Sequence, residues 1–113
     1  MTTMFFKKNK EAYDVLLSAA DYLSKEPKVE QNPWPVYDER VMKVFTLLKT
    51  DEDYMKHYEK IKDKPVENMT LKEIGTMYTF ISRGEKFSDG FIAANIEDGT
   101  MYRLVSRHME LTK

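Results

Sequence analysis

Apolar residues recur along this chain at intervals of three and four, the period of an α-helix that buries one face. Over residues 9–25, Ala12, Val15, Leu16, Ala19 and Leu23 share a side, and Asn9 with Glu11 suits the start of a first helix. Pro27 forbids its continuation. The irregular connection at about 26–37, KEPKVEQNPWPV, follows. Pro33 and Pro35 flank Trp34 there, which predicts an extended run with the tryptophan turned inward. Val41, Val44, Phe45 and Leu48 predict a second helix over 38–49. A third is expected to about residue 62, with Thr50 as N-cap and Asp51, Glu52 and Asp53 in a first turn that favours negative charge. Tyr54, Met55, Tyr58 and Ile61 give it only a narrow apolar stripe, so it belongs on the outside of a bundle.

The best-marked start is MTLKEI, where Thr70 and Glu73 have the spacing of a capping box and Met69 and Ile74 that of a hydrophobic staple. Leu71, Ile74, Met77, Tyr78 and Ile81 form the buried face of this fourth helix. Gly84 suits a left-handed C-terminal cap after Arg83. Ser88 is read as the cap of a short helix from Asp89, and Phe87 and Ile92 as its staple. Gly99 then ends that helix and Thr100 begins a last one, whose face is Met101, Leu104, Val105, His108 and Leu111. The expected fold is therefore all-α, a single domain over 1–113 of five or six helices, with a compact three-helix unit at about 70–112.

Composition narrows the function classes. The 113 residues suit one core, and no apolar run nears the roughly 20 residues a bilayer needs. MTTMFFKKNK lacks the order of a signal peptide. With no cysteine, disulfides, zinc-thiolate sites and thiol nucleophiles are excluded, and the cytoplasm is the expected compartment. A net charge of -1 argues against a general binder of phosphate backbones. Eight methionines, spread over every element, read as core fillers more than as an adaptable binding face, although a Met-rich helix can pack on its own copy and form a homodimer.

Candidate chemistry is sparse. Asp53 and His57 stand four apart and could share an ion with Asp51 or Glu52, but the spacing equally suits an exposed i,i+4 pair. His108 falls on an apolar face and reads as a hydrogen-bonded core histidine. Ser82, Ser88 and Ser106 sit in no nucleophile elbow, and neither GxxxxGK[ST] nor a strand-borne GxGxxG occurs. Neither a catalytic residue, a cofactor nor a metal is expected. Basic residues gather at Lys7, Lys8 and Lys10 beside Phe5 and Phe6, and along the last helix. There Arg103 and Arg107 lie one turn apart and could hold phosphate or carboxylate, or simply form a solvated face. Around the predicted turn, Arg83, Glu85, Lys86 and Asp89 set four charges together, either as a surface cluster or as a clamp of Arg83 with Asp89 or Glu85. Gly90, expected in the first turn of the short helix, implies a close approach by another group.

The run RGEKFSDGFIAANIEDGTMYRLVSRHMEL resembles the C-terminal half of a family of small bacterial proteins of unknown function, through Arg83, Gly84, Glu85, Phe87, Asp89, Gly90, Gly99 and Leu104. It departs from that pattern at Ser88, where the family suggests cysteine, and at the tyrosine and histidine of the last helix. The resemblance implies a helical bacterial or phage protein and carries over no catalytic residue. Two functions are expected. The first is a non-enzymatic interaction protein, a bacterial or phage regulator or inhibitor that binds a host protein complex such as a defence nuclease. Its contact residues would be Arg83, Glu85, Lys86, Asp89, Arg103 and Arg107. The alternative is a binder of a nucleotide or other small anion through Arg103, Arg107 and aromatic side chains.

Overall fold

A computed structural model describes residues 10–48 and 51–112. Among them are six α-helices, α1 (Lys10–Ser24), α2 (Glu39–Leu48), α3 (Tyr54–Ile61), α4 (Leu71–Phe87), α5 (Phe91–Glu97) and α6 (Thr100–Thr112), with a 3-10 turn at Val66–Asn68 and no strand. The all-α expectation holds. The predicted apolar faces of four helices are the buried ones: Leu16, Ala19 and Leu23 from α1, Val41, Val44 and Phe45 from α2, Ile74, Tyr78 and Ile81 from α4, and Met101, Leu104 and Val105 from α6 meet in one core, whereas of the α3 stripe only Ile61 is buried. The core is closed by α1 packing along α6 and α2 packing on α4. α3 lies outside, mainly on α4, where Tyr58 stacks on Phe80 at 3.7 Å between ring centroids.

Several local readings are corrected by packing. Gly84 does not end α4, which continues to Phe87 with Ser88 as its C-cap. The glycine is needed because the Phe91 ring lies where a Cβ would stand, 2.4 Å from it. α5 starts two residues later than the serine cap implies. Gly90 is its N-cap, in the left-handed conformation at φ 94°, with the Gln31 amide oxygen 2.5 Å from where a Cβ would be. Gly99 is left-handed at φ 90° after α5, as expected. Thr100 is the first residue of α6 and not its cap; its N–H donates to Asp98 Oδ1 at 2.8 Å. At α4 the capping box is present in both directions, Thr70 with Glu73. Thr50 lies outside the described residues, and α3 begins only at Tyr54, so Asp51, Glu52 and Asp53 precede it. Met69 and Met101 are buried, whereas Met42 and Met55 are exposed, so only part of the methionine set fills the core. No helix among the described residues is long and apolar enough to cross a membrane.

Candidate functional site

Tyr37, not Trp34, anchors the long connection. Its hydroxyl donates to Glu85 Oε1 at 2.9 Å and accepts the Ala93 N–H at 3.3 Å. Burial, then the bond to Glu85, holds the Tyr37 hydroxyl well above the usual phenol range. Glu85 also accepts the N–H groups of Gly90 at 3.1 Å and Ile92 at 2.8 Å. One carboxylate on α4 therefore satisfies orphan donors at the start of α5 and fixes the incoming loop. A further tie runs from the Val29 N–H to Glu97 Oε2 at 2.9 Å.

Between these anchors the chain forms a projecting loop, closed by the Val36 N–H on the Glu30 carbonyl at 3.0 Å. Trp34 is 64% exposed at this loop and Val36 61%, the reverse of the inward tryptophan expected. Phe87, the last residue of α4, is 85% exposed. Trp34 is three residues from both Gln31 and Tyr37, at most about 10 Å of extended chain from either, and the tips of those two side chains reach the α4–α5 corner. Three large apolar side chains are thus exposed on the connection and on the end of the helix that anchors it.

The charges around this corner divide by role. Arg83 pairs with neither Glu85 nor Asp89; its guanidinium lies over the Tyr54 ring, 5.6 Å from the centroid, and tethers α3. Lys86 and Asp89 are exposed. Of the two readings of these charges, the Arg83 clamp is replaced by a Glu85 clamp onto nearby backbone and onto Tyr37, the latter 48 residues away in the chain and invisible to local pattern.

Arg103 and Arg107 are already engaged. Arg103 grips Glu67 with two bonds, Nε to Oε2 at 2.9 Å and Nη2 to Oε1 at 2.8 Å, and its guanidinium holds the Glu67 carboxyl down to about 2. Arg107 donates to the Met69 carbonyl at 2.9 Å and to Glu110 at 3.2 Å. Together they bind the 3-10 turn and the entry to α4 onto α6. His57 pairs with Asp51 and not with Asp53, Nδ1 to Oδ2 at 2.8 Å, and no group of three or more metal-binding side chains occurs among the described residues. His108 is buried, 3.1 Å from the Tyr78 hydroxyl through Nδ1. Lys10 pairs with Asp14 at 3.7 Å, while Phe5, Phe6, Lys7 and Lys8 lie outside the described residues.

No curated protein and no solved structure matches this chain. A family of unknown function matches residues 9–113, far more than the C-terminal run that carries the resemblance. The helices, the Glu85 corner and the arginine ties all fall within that match, and the chain belongs to the family of unknown function DUF6508.

Proposed function

We propose that this protein is a non-enzymatic interaction module that binds another protein through the corner formed by Trp34, Val36 and Phe87. The observation that carries this reading is the exposure of Phe87, 85%, at the end of the helix to which Glu85 ties the connection that exposes Trp34. Burying such side chains on association releases about 1.5–3 kcal/mol each, and aromatic anchors of this kind dominate interface energies. The platform is rigid because Glu85 and Tyr37 hold loop and helices in one arrangement, so little ordering opposes binding. Lys86 and Asp89 stand at its rim and would set orientation and encounter rate. A regulator or inhibitor of a bacterial or phage host complex would use a surface of this kind. The anion-binding alternative gains no support at Arg103 and Arg107, whose donors face Glu67, Met69 and Glu110.

The test compares capture by the wild-type chain and by a Trp34→Ser/Phe87→Ser variant. Both positions are exposed, so the two proteins should melt at the same temperature. The wild type should retain one stoichiometric protein partner, and the variant should lose it at least about tenfold, or roughly 1.4 kcal/mol. Undiminished capture by the variant, or recovery of a nucleotide with no protein, would overturn the reading.

A further inference from the structure

The opposite end of α4 carries a second, chemically different feature. Asp51, on the segment entering α3, is the hub of a compact network. Its Oδ2 accepts the Thr76 hydroxyl at 2.6 Å and His57 Nδ1 at 2.8 Å, while Oδ1 accepts the Asp53 N–H at 3.0 Å. Burial alone would raise its pKa, but the bonds from Thr76 and His57 outweigh burial and keep it below the usual carboxylate range. An ionised carboxylate only accepts, so the proton of His57 must sit on Nδ1. Asp51 thereby fixes the ring and leaves Nε2 as its unclaimed nitrogen.

That ring lines a cleft of about 270 Å³ between α3 and α4, together with Lys60, Ile61, Lys72, Glu73 and Thr76. The spacing explains the convergence: 57, 60 and 61 share one face of α3, and 72 and 76 one face of α4. The charges do not cancel. Glu73 is matched by Lys64 at 2.8 Å, and the Asp51 carboxylate, which accepts from His57 and Thr76, is not among the residues lining the cleft. Lys60 and Lys72 form no ion pair among the described residues. Lys72 also lies in the first turn of α4, the positive end of a 17-residue helix dipole. A cleft with two unmatched ammonium groups at the positive end of a helix, and an imidazole nitrogen that can accept from a protonated phosphate oxygen, is suited to a hydrogen phosphate group.

We infer that the cleft between α3 and α4 binds a phosphate group, held by the ammonium groups of Lys60 and Lys72, with His57 Nε2 accepting the hydrogen bond of the phosphate P–OH. Its volume is a little under the range of about 300–1,000 Å³ typical of drug-sized ligands, which suits a small phosphorylated molecule whose stem lies on Ile61. The site is independent of the protein-binding corner. Thr76 and Phe87 are eleven residues apart on α4, about 16 Å of rise.

The test is a titration of the isotope-labelled full chain followed by nuclear magnetic resonance, at constant ionic strength. Inorganic phosphate and glycerol phosphate are the probes, with chloride and glycerol as controls. Saturable shifts are expected at residues 56–61 and 71–76 and at the His57 Nε2 resonance. A Lys60→Gln/Lys72→Gln variant, altered only at exposed positions, should keep its melting temperature and bind at least about tenfold more weakly. Tighter binding of glycerol phosphate identifies a phosphorylated metabolite as the ligand, and equal binding identifies phosphate itself. Shifts that never saturate, that chloride reproduces, or that survive the double variant would overturn the site. Partner capture by the lysine variant should be unimpaired, so either proposal can fail without the other.

Discussion

At the scale of single residues, burial and hydrogen bonding assign His108 and Glu85 to the fold. His108 is 3% exposed, and burial lowers its pKa to about 4. The ring is therefore neutral, and its Nδ1 shares a hydrogen bond with the Tyr78 hydroxyl at 3.1 Å. Because the folded value lies below the unfolded value of about 6.5, the unfolded chain takes up the proton first as pH falls. The stability due to neutral His108 is intact above about pH 6.5 and is lost progressively toward pH 4, by about 3 kcal/mol in all. A His108→Gln variant, whose amide can donate to or accept from the Tyr78 hydroxyl, should lose less stability than wild type between pH 7 and pH 4.5 in urea unfolding; parallel losses would refute the assignment. For Glu85, replacement by alanine strands two N–H groups and the Tyr37 hydroxyl, and should lower stability by at least about 2 kcal/mol. Arg83→Ala should cost under about 1 kcal/mol, since it removes only a ring contact. The register of α6 made His108 legible in the sequence. Glu85 was legible only as one charge among four, because its choice between Arg83 and Tyr37 is made by a loop far upstream. The Asp51–His57 pair was hidden for a related reason: the i,i+4 spacing points to Asp53, but Asp51 lies before the helix and reaches His57 and Thr76 together.

At the scale of elements, the strongest local signals were the reliable ones and the glycines were ambiguous. The Thr70–Glu73 box appears as read because both partners lie within one turn. Gly84 has two possible uses, a left-handed helix end or a close approach, and sequence pattern cannot choose between them. The Phe91 ring decides, standing against the α4 backbone and T-shaped to Phe80 at 5.6 Å. Gly84→Ala should therefore destabilise the protein by about 1–3 kcal/mol through overpacking, although alanine is the better helix former. If the clash is the cause, Phe91→Leu should cost less in the Gly84→Ala background than in wild type. A double-mutant cycle measured by thermal or urea unfolding reads this coupling. Additive effects would mean that the ring simply moves aside.

At the scale of the whole molecule, the sequence showed how many helices to expect but not which of them close the core. Periodicity identifies a buried face without naming what covers it, so residues from Thr70 onward read as a unit of their own. In the folded chain, α6 lies along α1 as well as α5, and the 3-10 turn is fastened to α6 by Arg103 and Arg107. Leu16, Ala19 and Leu23 belong to the same core as Leu104 and Val105. A fragment of residues 70–113 would expose that shared surface and is near the roughly 40-residue limit below which a domain rarely folds without staples. It should show weak helical circular dichroism and no cooperative melting transition, while the full chain melts in one step. Adding a peptide of residues 9–25 should not restore the transition, because Val41, Val44 and Phe45 of α2 would still be missing from the face of α4. A cooperative transition in the fragment alone would instead make the C-terminal helices an independent unit, with α1 and α2 as additions to it.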